Sequence, residues 1–168
     1  MTPTATTQPA TTTTVATTLA EKPLDRDGAY LRAVHQASRP LRSILRANAA
    51  FSLACGAVAI VAADRLAGWI GADVGWVVRL MGVALVAYCP MLLAIAASRP
   101  ERLRTFSVVV SIADFAWVAG TIVLLVAGAV DPAGAWVLGI TGLVVFVFGV
   151  EQLIARRPLA RTLDRAVM

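Results

Sequence analysis

Residues 106–130 read FSVVVSIADFAWVAGTIVLLVAGAV, 25 residues in a row that carry a single charge, Asp114. At a rise of about 1.5 Å per residue, a helix of that length can cross the ~30 Å hydrocarbon core of a bilayer. One Asp near a helix centre costs about 2.5–3.5 kcal/mol on the insertion scale, and each Leu, Ile, Val or Phe returns up to about 0.3–0.6 kcal/mol. Twelve such residues lie between Val108 and Val130, so insertion outweighs the carboxylate.

Three further segments share this character: Ile44–Ala63, Trp76–Ala97 and Gly134–Ala155. They are continuous rather than alternating in polarity, which excludes a β-barrel. The polar helices that would cover them in a soluble bundle are missing from the sequence. The expected fold is therefore all-α: a bundle of four transmembrane helices at about 44–63, 76–97, 106–130 and 134–155, within a membrane domain spanning 41–157. Composition agrees. Of 168 residues, 58% are hydrophobic and 15% charged, against about 45–50% and 25% in soluble domains. A mean hydropathy of +0.76 points the same way. An ordinary soluble enzyme would aggregate with so apolar a surface. Two cysteines and the lack of a glycine or heptad period exclude a disulfide scaffold, a collagen and a coiled coil.

The flanks differ sharply from the membrane domain. Residues 1–24 form a Thr-rich tail, with ten threonines in the first twenty positions. It is too poor in apolar surface to offset chain entropy and is expected to be disordered and cytoplasmic. It lacks the basic start and apolar core of a secretory signal, so the first apolar segment is expected to direct insertion. Residues 25–40 carry Tyr30, Leu31, Val34 and Ala37 at helical spacing before Pro40. This suggests an amphipathic lead-in helix on the membrane surface, or simply the start of the first span. Residues 158–168 form a basic tail.

Net charge is +5 and the isoelectric point near 10.2. Thirteen of the fifteen Lys and Arg residues lie in three stretches, Lys22–Arg46, Arg99–Arg104 and Arg156–Arg165. Basic residues at the ends of apolar runs mark the cytoplasmic side, which places both termini inside (N-in/C-in). Trp69, Trp76 and Trp136 then fall at the outer interface, where indoles prefer to sit. The expected partners are the lipid bilayer and the anionic lipids of its inner leaflet, at about 1 kcal/mol per basic residue near the surface. No aromatic-and-basic surface for nucleic acid is visible. Self-association into a homo-oligomer stays open. Fourteen arginines to one lysine suggest a GC-rich bacterial genome, and hence the cytoplasmic (cell) membrane.

Polar residues inside the apolar segments need a reason. Ser107, Ser111, Asp114 and Thr121 fall on one side of the third helix. Asn48, Ser52 and Cys55 share a stripe of the first, as do Gly142, Gly149 and Gln152 of the fourth. Counted from the helix ends, Asn48, Ser52, Tyr88, Ser111, Asp114, Trp117 and Gln152 form one candidate cluster below the midplane. Two readings of it stay open, besides an intersubunit contact. Asp114 either hydrogen-bonds Asn48, Tyr88 or Gln152 and registers the helices, or it centres a proton or cation relay or a small-ligand pocket. Trp117 needs a partner for its N–H, which favours the bundle interior. Two secondary candidates lie nearer the ends. Arg79 can snorkel or pair with Asp64 or Asp73, and Glu151 can be neutralised by Arg156 and Arg157.

Catalytic chemistry is missing. There is no C-x-x-C, G-x-S-x-G, H-E-x-x-H or phosphate-binding loop, and the only histidine, His35, lies outside the apolar segments. No catalytic residue, metal or cofactor is expected.

From Leu45 to Arg157 the chain resembles a group of bacterial four-helix integral membrane proteins without assigned activity. The resemblance rests on RANAAFS (46–52), RLMGVALVAY (79–88), ADFAWVAGT (113–121) and EQL (151–153). It implies topology and location, and no activity. In size the chain is similar to small multidrug transporters, but where those carry a glutamate in the first helix this one offers Asn48. The expected function is that of a non-enzymatic structural or interaction protein of the membrane. The alternative is a small proton- or cation-coupled transporter acting through Asp114.

Overall fold

The computed structural model describes residues 22–70 and 75–165. Among these there are five helices and no strand: α1 Lys22–Val61, α2 Ala63–Ile70, α3 Gly75–Ala97, α4 Pro100–Val126 and α5 Pro132–Asp164. α1, α3, α4 and α5 are each long and apolar enough to cross a membrane. The tail expected over 1–24 lies outside the described residues as far as position 21, and so do residues 166–168 of the basic tail. The chain divides into two units, residues 1–33 and 34–168. In the first, residues 27–33 are exposed except for half-buried Gly28.

Pro40, which closes the lead-in in the sequence reading, lies inside a helix instead, and so does Pro158, where that reading starts the basic tail. α1 continues through Pro40 and α5 through Pro158. An interior proline costs about 3 kcal/mol. Each is flanked by leucines that the core buries completely or nearly so, Leu41 and Leu45 in α1 and Leu159 and Leu163 in α5. At about 1.5–3 kcal/mol for each buried side chain, two leucines outweigh one proline. The lead-in at 25–40 and the tail from 158 are thus parts of longer helices.

The ends of α4 and α5 follow capping chemistry rather than hydropathy. α4 starts six residues ahead of the apolar run because Pro100 sits at its first position, where a missing N–H costs nothing. It stops at Val126, short of the expected 130, because Gly128 adopts a positive φ of 61°. The Gly128 and Ala129 amides then donate to Leu125 O and Leu124 O, each at 3.2 Å, closing a Schellman turn. α5 opens with Asp131 accepting from Gly134 N at 2.7 Å, followed by Pro132. Between the first two apolar segments the chain forms the short helix α2. Its Trp69 carbonyl accepts from Asp131 N at 3.0 Å, tying α2 to the start of α5.

The fully buried leucines lie toward the ends of the helices that carry the arginine-rich stretches. Leu41, Leu45, Leu92, Leu103, Val110 and Leu159 are sealed there into one core. Arg42 of α1 donates Nη1 to Ala96 O and Nη2 to Ser98 O, the latter at 2.8 Å, and so caps the end of α3. Hydrogen bonds from a charged donor contribute about 1.5–3 kcal/mol each when shielded, and Arg42 is half-buried. Arg42→Ala is expected to lower the unfolding free energy in mixed micelles by about 1–2 kcal/mol. Arg42→Lys should recover only part of it, because an ammonium lacks the fork that reaches both carbonyls. Equal stability of the alanine variant would show the cap to be dispensable. The ion pair Arg104–Asp164, at 2.6 Å, joins α4 to α5 but is exposed and contributes little.

Candidate functional site

Asp114 lies on the inward face of α4 and is 5% exposed. Its Oδ2 accepts from Asn48 Nδ2 of α1 at 3.0 Å and from Gln152 Nε2 of α5 at 2.9 Å. One oxygen therefore joins three helices. The outer partners are held in turn. Ser52 Oγ donates to Asn48 Oδ1 at 3.3 Å, one helical turn away. Ser111 Oγ shares its one proton between Gln152 Oε1 at 3.3 Å and Ser107 O of its own helix at 3.0 Å. The amides are thereby oriented: with their oxygens taken by hydroxyls, their N–H groups face the carboxylate. Asn48, Ser52, Ser111 and Gln152 are all buried, where an unmade hydrogen bond is expensive.

Small residues let the helices come close enough for these contacts. A Cβ on Gly142 of α5 would meet Thr121 Cγ2 at 3.1 Å, and one on Gly149 would meet the Phe115 ring at 3.1 Å. On the other side of α1, Gly56 and Gly82 of α3 face each other, each blocking the other's Cβ with its carbonyl oxygen at 2.8 Å. Phe51 of α1 and Phe148 of α5 meet edge-tilted, with ring centroids 5.8 Å apart.

Beside the cluster is a cavity of about 240 Å³ walled by all four long helices. Asn48, Ser52, Asp114, Tyr88 and Trp117 line it together with Phe51, Leu85 and Thr141. Its rim includes Met81, Ala84 and Ala113, which are exposed. Tyr88, like Trp117, is a cluster member that hydropathy and depth grouped with the rest but that the side-chain hydrogen bonds of the cluster leave out. Its hydroxyl is sealed from solvent and has no partner among the described residues. Trp117 borders the cavity through a half-buried ring, and its indole N–H makes no hydrogen bond among the described residues. Only its carbonyl is engaged, by Thr121 Oγ1 at 3.1 Å.

The two secondary candidates stand apart. Arg79 donates Nη2 to both oxygens of Asp64, at 3.3 and 3.2 Å, in an exposed pair; its other expected partner, Asp73, lies outside the described residues. Glu151 is exposed and forms no ion pair with Arg156 or Arg157 among the described residues. No group of three or more His, Cys, Asp or Glu side chains able to hold a metal occurs among the described residues. The cavity-lining residues missed from sequence include Phe51, Met81, Leu85, Thr141 and Val145. Of these only Thr141, a hydroxyl mid-segment beside Gly142, offered a signal.

No family model, curated protein or solved structure matches the chain.

Proposed function

We propose that the chain is a multi-pass integral membrane protein of the bacterial cytoplasmic membrane. Both termini lie in the cytoplasm, and its role is structural or partner-binding rather than enzymatic. The observation that carries membrane residence is inverted polarity. Asn48, Asp114 and Gln152 are at most 5% exposed, while Ile112, Val123, Ile140 and Leu143 are at least 60% exposed. Water would penalise that outer surface at about 25 cal/mol per Å². Hydrocarbon would accept it, and would penalise the polar groups unless they paired inside. Trp76 and Trp136, both exposed, sit at the end of the bundle opposite the three arginine-rich stretches, as interfacial anchors do.

The structural role is supported by how Asp114 is used. Its hydrogen bonds go to two neutral amides from other helices, an arrangement suited to fixing helix register. Reporter fusions after residue 20, at Glu101 and at Met168 are expected to read cytoplasmic, and one near Asp73 external. A cytoplasmic signal near Asp73 would reverse the orientation.

A second reading, a small proton- or cation-coupled transporter acting through Asp114, draws on one observation: the same carboxylate borders the cavity. Vesicles under an imposed pH gradient separate the two. The structural reading expects no protein-dependent flux, whereas a flux that Asp114→Asn abolishes would establish the transporter.

A further inference from the structure

We propose that the cavity between the four long helices binds a small lipophilic cation, a primary ammonium carried by a short alkyl chain on one aromatic ring. The inference goes beyond the role proposed above and does not rest on it, since binding succeeds or fails whether or not the chain moves its ligand.

Charge is the first argument. Both hydrogen-bond partners of Asp114 are neutral amides, both act on Oδ2, and neither ion pair described for the bundle involves it. Oδ1 accepts no hydrogen bond among the described residues. An ionised carboxylate in an apolar interior without a counter-charge is strongly disfavoured, and an ammonium placed beside it supplies both the charge and the missing donor. The same walls would repel an anion.

Unused polar capacity is the second argument. Tyr88 lines the cavity, and its hydroxyl, sealed from solvent just behind that wall, has no partner among the described residues. Buried polar groups are satisfied in the large majority of cases. An ammonium has three N–H donors, so a head group seated at Asp114 has donors left for the phenolic oxygen once the Tyr88 side chain turns toward it.

Shape and lining give the rest of the ligand. Phe51, Trp117, Met81 and Leu85 supply apolar and aromatic wall, which suits a ring and adds attraction between aromatic faces and a cation. A hydrated inorganic ion would find few polar groups there. The volume of about 240 Å³ exceeds the ~150 Å³ that holds a benzene and falls below the ~300–1,000 Å³ of sites for larger ligands. One ring with two or three further atoms fits that interval.

The probe is 2-phenylethylammonium, titrated calorimetrically into the full chain in nanodiscs, with empty nanodiscs to subtract partitioning into lipid. Saturable one-to-one binding is expected. The uncharged 2-phenylethanol should bind at least about tenfold more weakly, and Asp114→Asn should weaken the ammonium by at least about tenfold, as loss of a charge-assisted hydrogen bond implies. Tyr88→Phe removes only the unpartnered hydroxyl and is expected to weaken binding about three- to tenfold. It also serves as the test if the Asp114 variant does not fold. Binding no greater than to empty nanodiscs would overturn the proposal. So would equal affinity for the alcohol, or Tyr88→Phe and a folded Asp114→Asn that both bind like wild type.

Discussion

Asp114→Leu is expected to lower the stability of the bundle by about 1–3 kcal/mol, while Asp114→Asn stays within about 0.5 kcal/mol of wild type. The asymmetry follows from what each replacement leaves behind. Leucine removes the acceptor and strands two buried amides, Asn48 Nδ2 and Gln152 Nε2, which now meet only Oδ2. Interhelical hydrogen bonds in membrane proteins contribute about 0.6–1.7 kcal/mol each, so two of them set the range. Asparagine keeps an oxygen where Oδ2 stands and can accept both bonds. Replacing a whole buried polar set by well-packed apolar residues is often neutral, so the loss should shrink when Asn48 and Gln152 are also made leucine and methionine. Denaturation of purified protein in mixed micelles, followed by far-ultraviolet circular dichroism, measures all of these. If Asp114→Leu matches wild type, the three-helix junction contributes nothing to stability.

The four long helices were legible because a membrane-length apolar run needs no tertiary context to be recognised; hydropathy alone marks Trp76–Ala97 to the residue at its end, where α3 stops. Helix limits set by particular atoms were not. Gly128 could be suspected as a stop, but only its positive φ and the two bonds back to Leu124 and Leu125 end α4 at Val126. Pro40 reads as a breaker in isolation, and only the burial of the leucines that follow it reverses that reading. The same division runs through the site. Counting from segment ends brings Asn48, Asp114 and Gln152 to one depth, because axial rise is regular. It cannot say which helices are neighbours, so Tyr88 stood as good a chance of holding Asp114 as Asn48 did. In the structure the tyrosine lines the cavity and its hydroxyl has no partner among the described residues. Thr141 went unremarked for the converse reason: a lone hydroxyl in a helix can satisfy itself on its own backbone, so the polar signal it offers does not by itself mark a cavity wall.

The largest single-methyl effects are expected where α1 crosses α3. A Cβ at Gly56 would sit 2.8 Å from Gly82 O, and one at Gly82 would sit 2.8 Å from Gly56 O and from Ile60 Cγ1. In both cases the obstacle includes backbone, which cannot rotate away, so the helices must separate along the crossing. Overpacking of this kind costs about 1–3 kcal/mol, and Gly56→Ala and Gly82→Ala are each expected in that range. Gly120 of α4 and Gly139 of α5 give the matched control, since a Cβ at either has nothing within 4 Å. There alanine should be neutral or stabilising by up to about 1 kcal/mol, because it removes the glycine penalty in a helix without meeting a neighbour. Because the two crossing glycines face each other, the double variant should cost less than the sum of the singles: once the helices have moved apart for one methyl, the second finds room. Separation would also move Phe51 and Leu85, which stand on opposite sides of that crossing and wall the cavity. Affinity for the ammonium probe should therefore fall in the Gly56 and Gly82 variants and hold in those of Gly120 and Gly139. Equal stability across all four alanine variants would mean that α1 and α3 do not approach as closely as the two glycines permit.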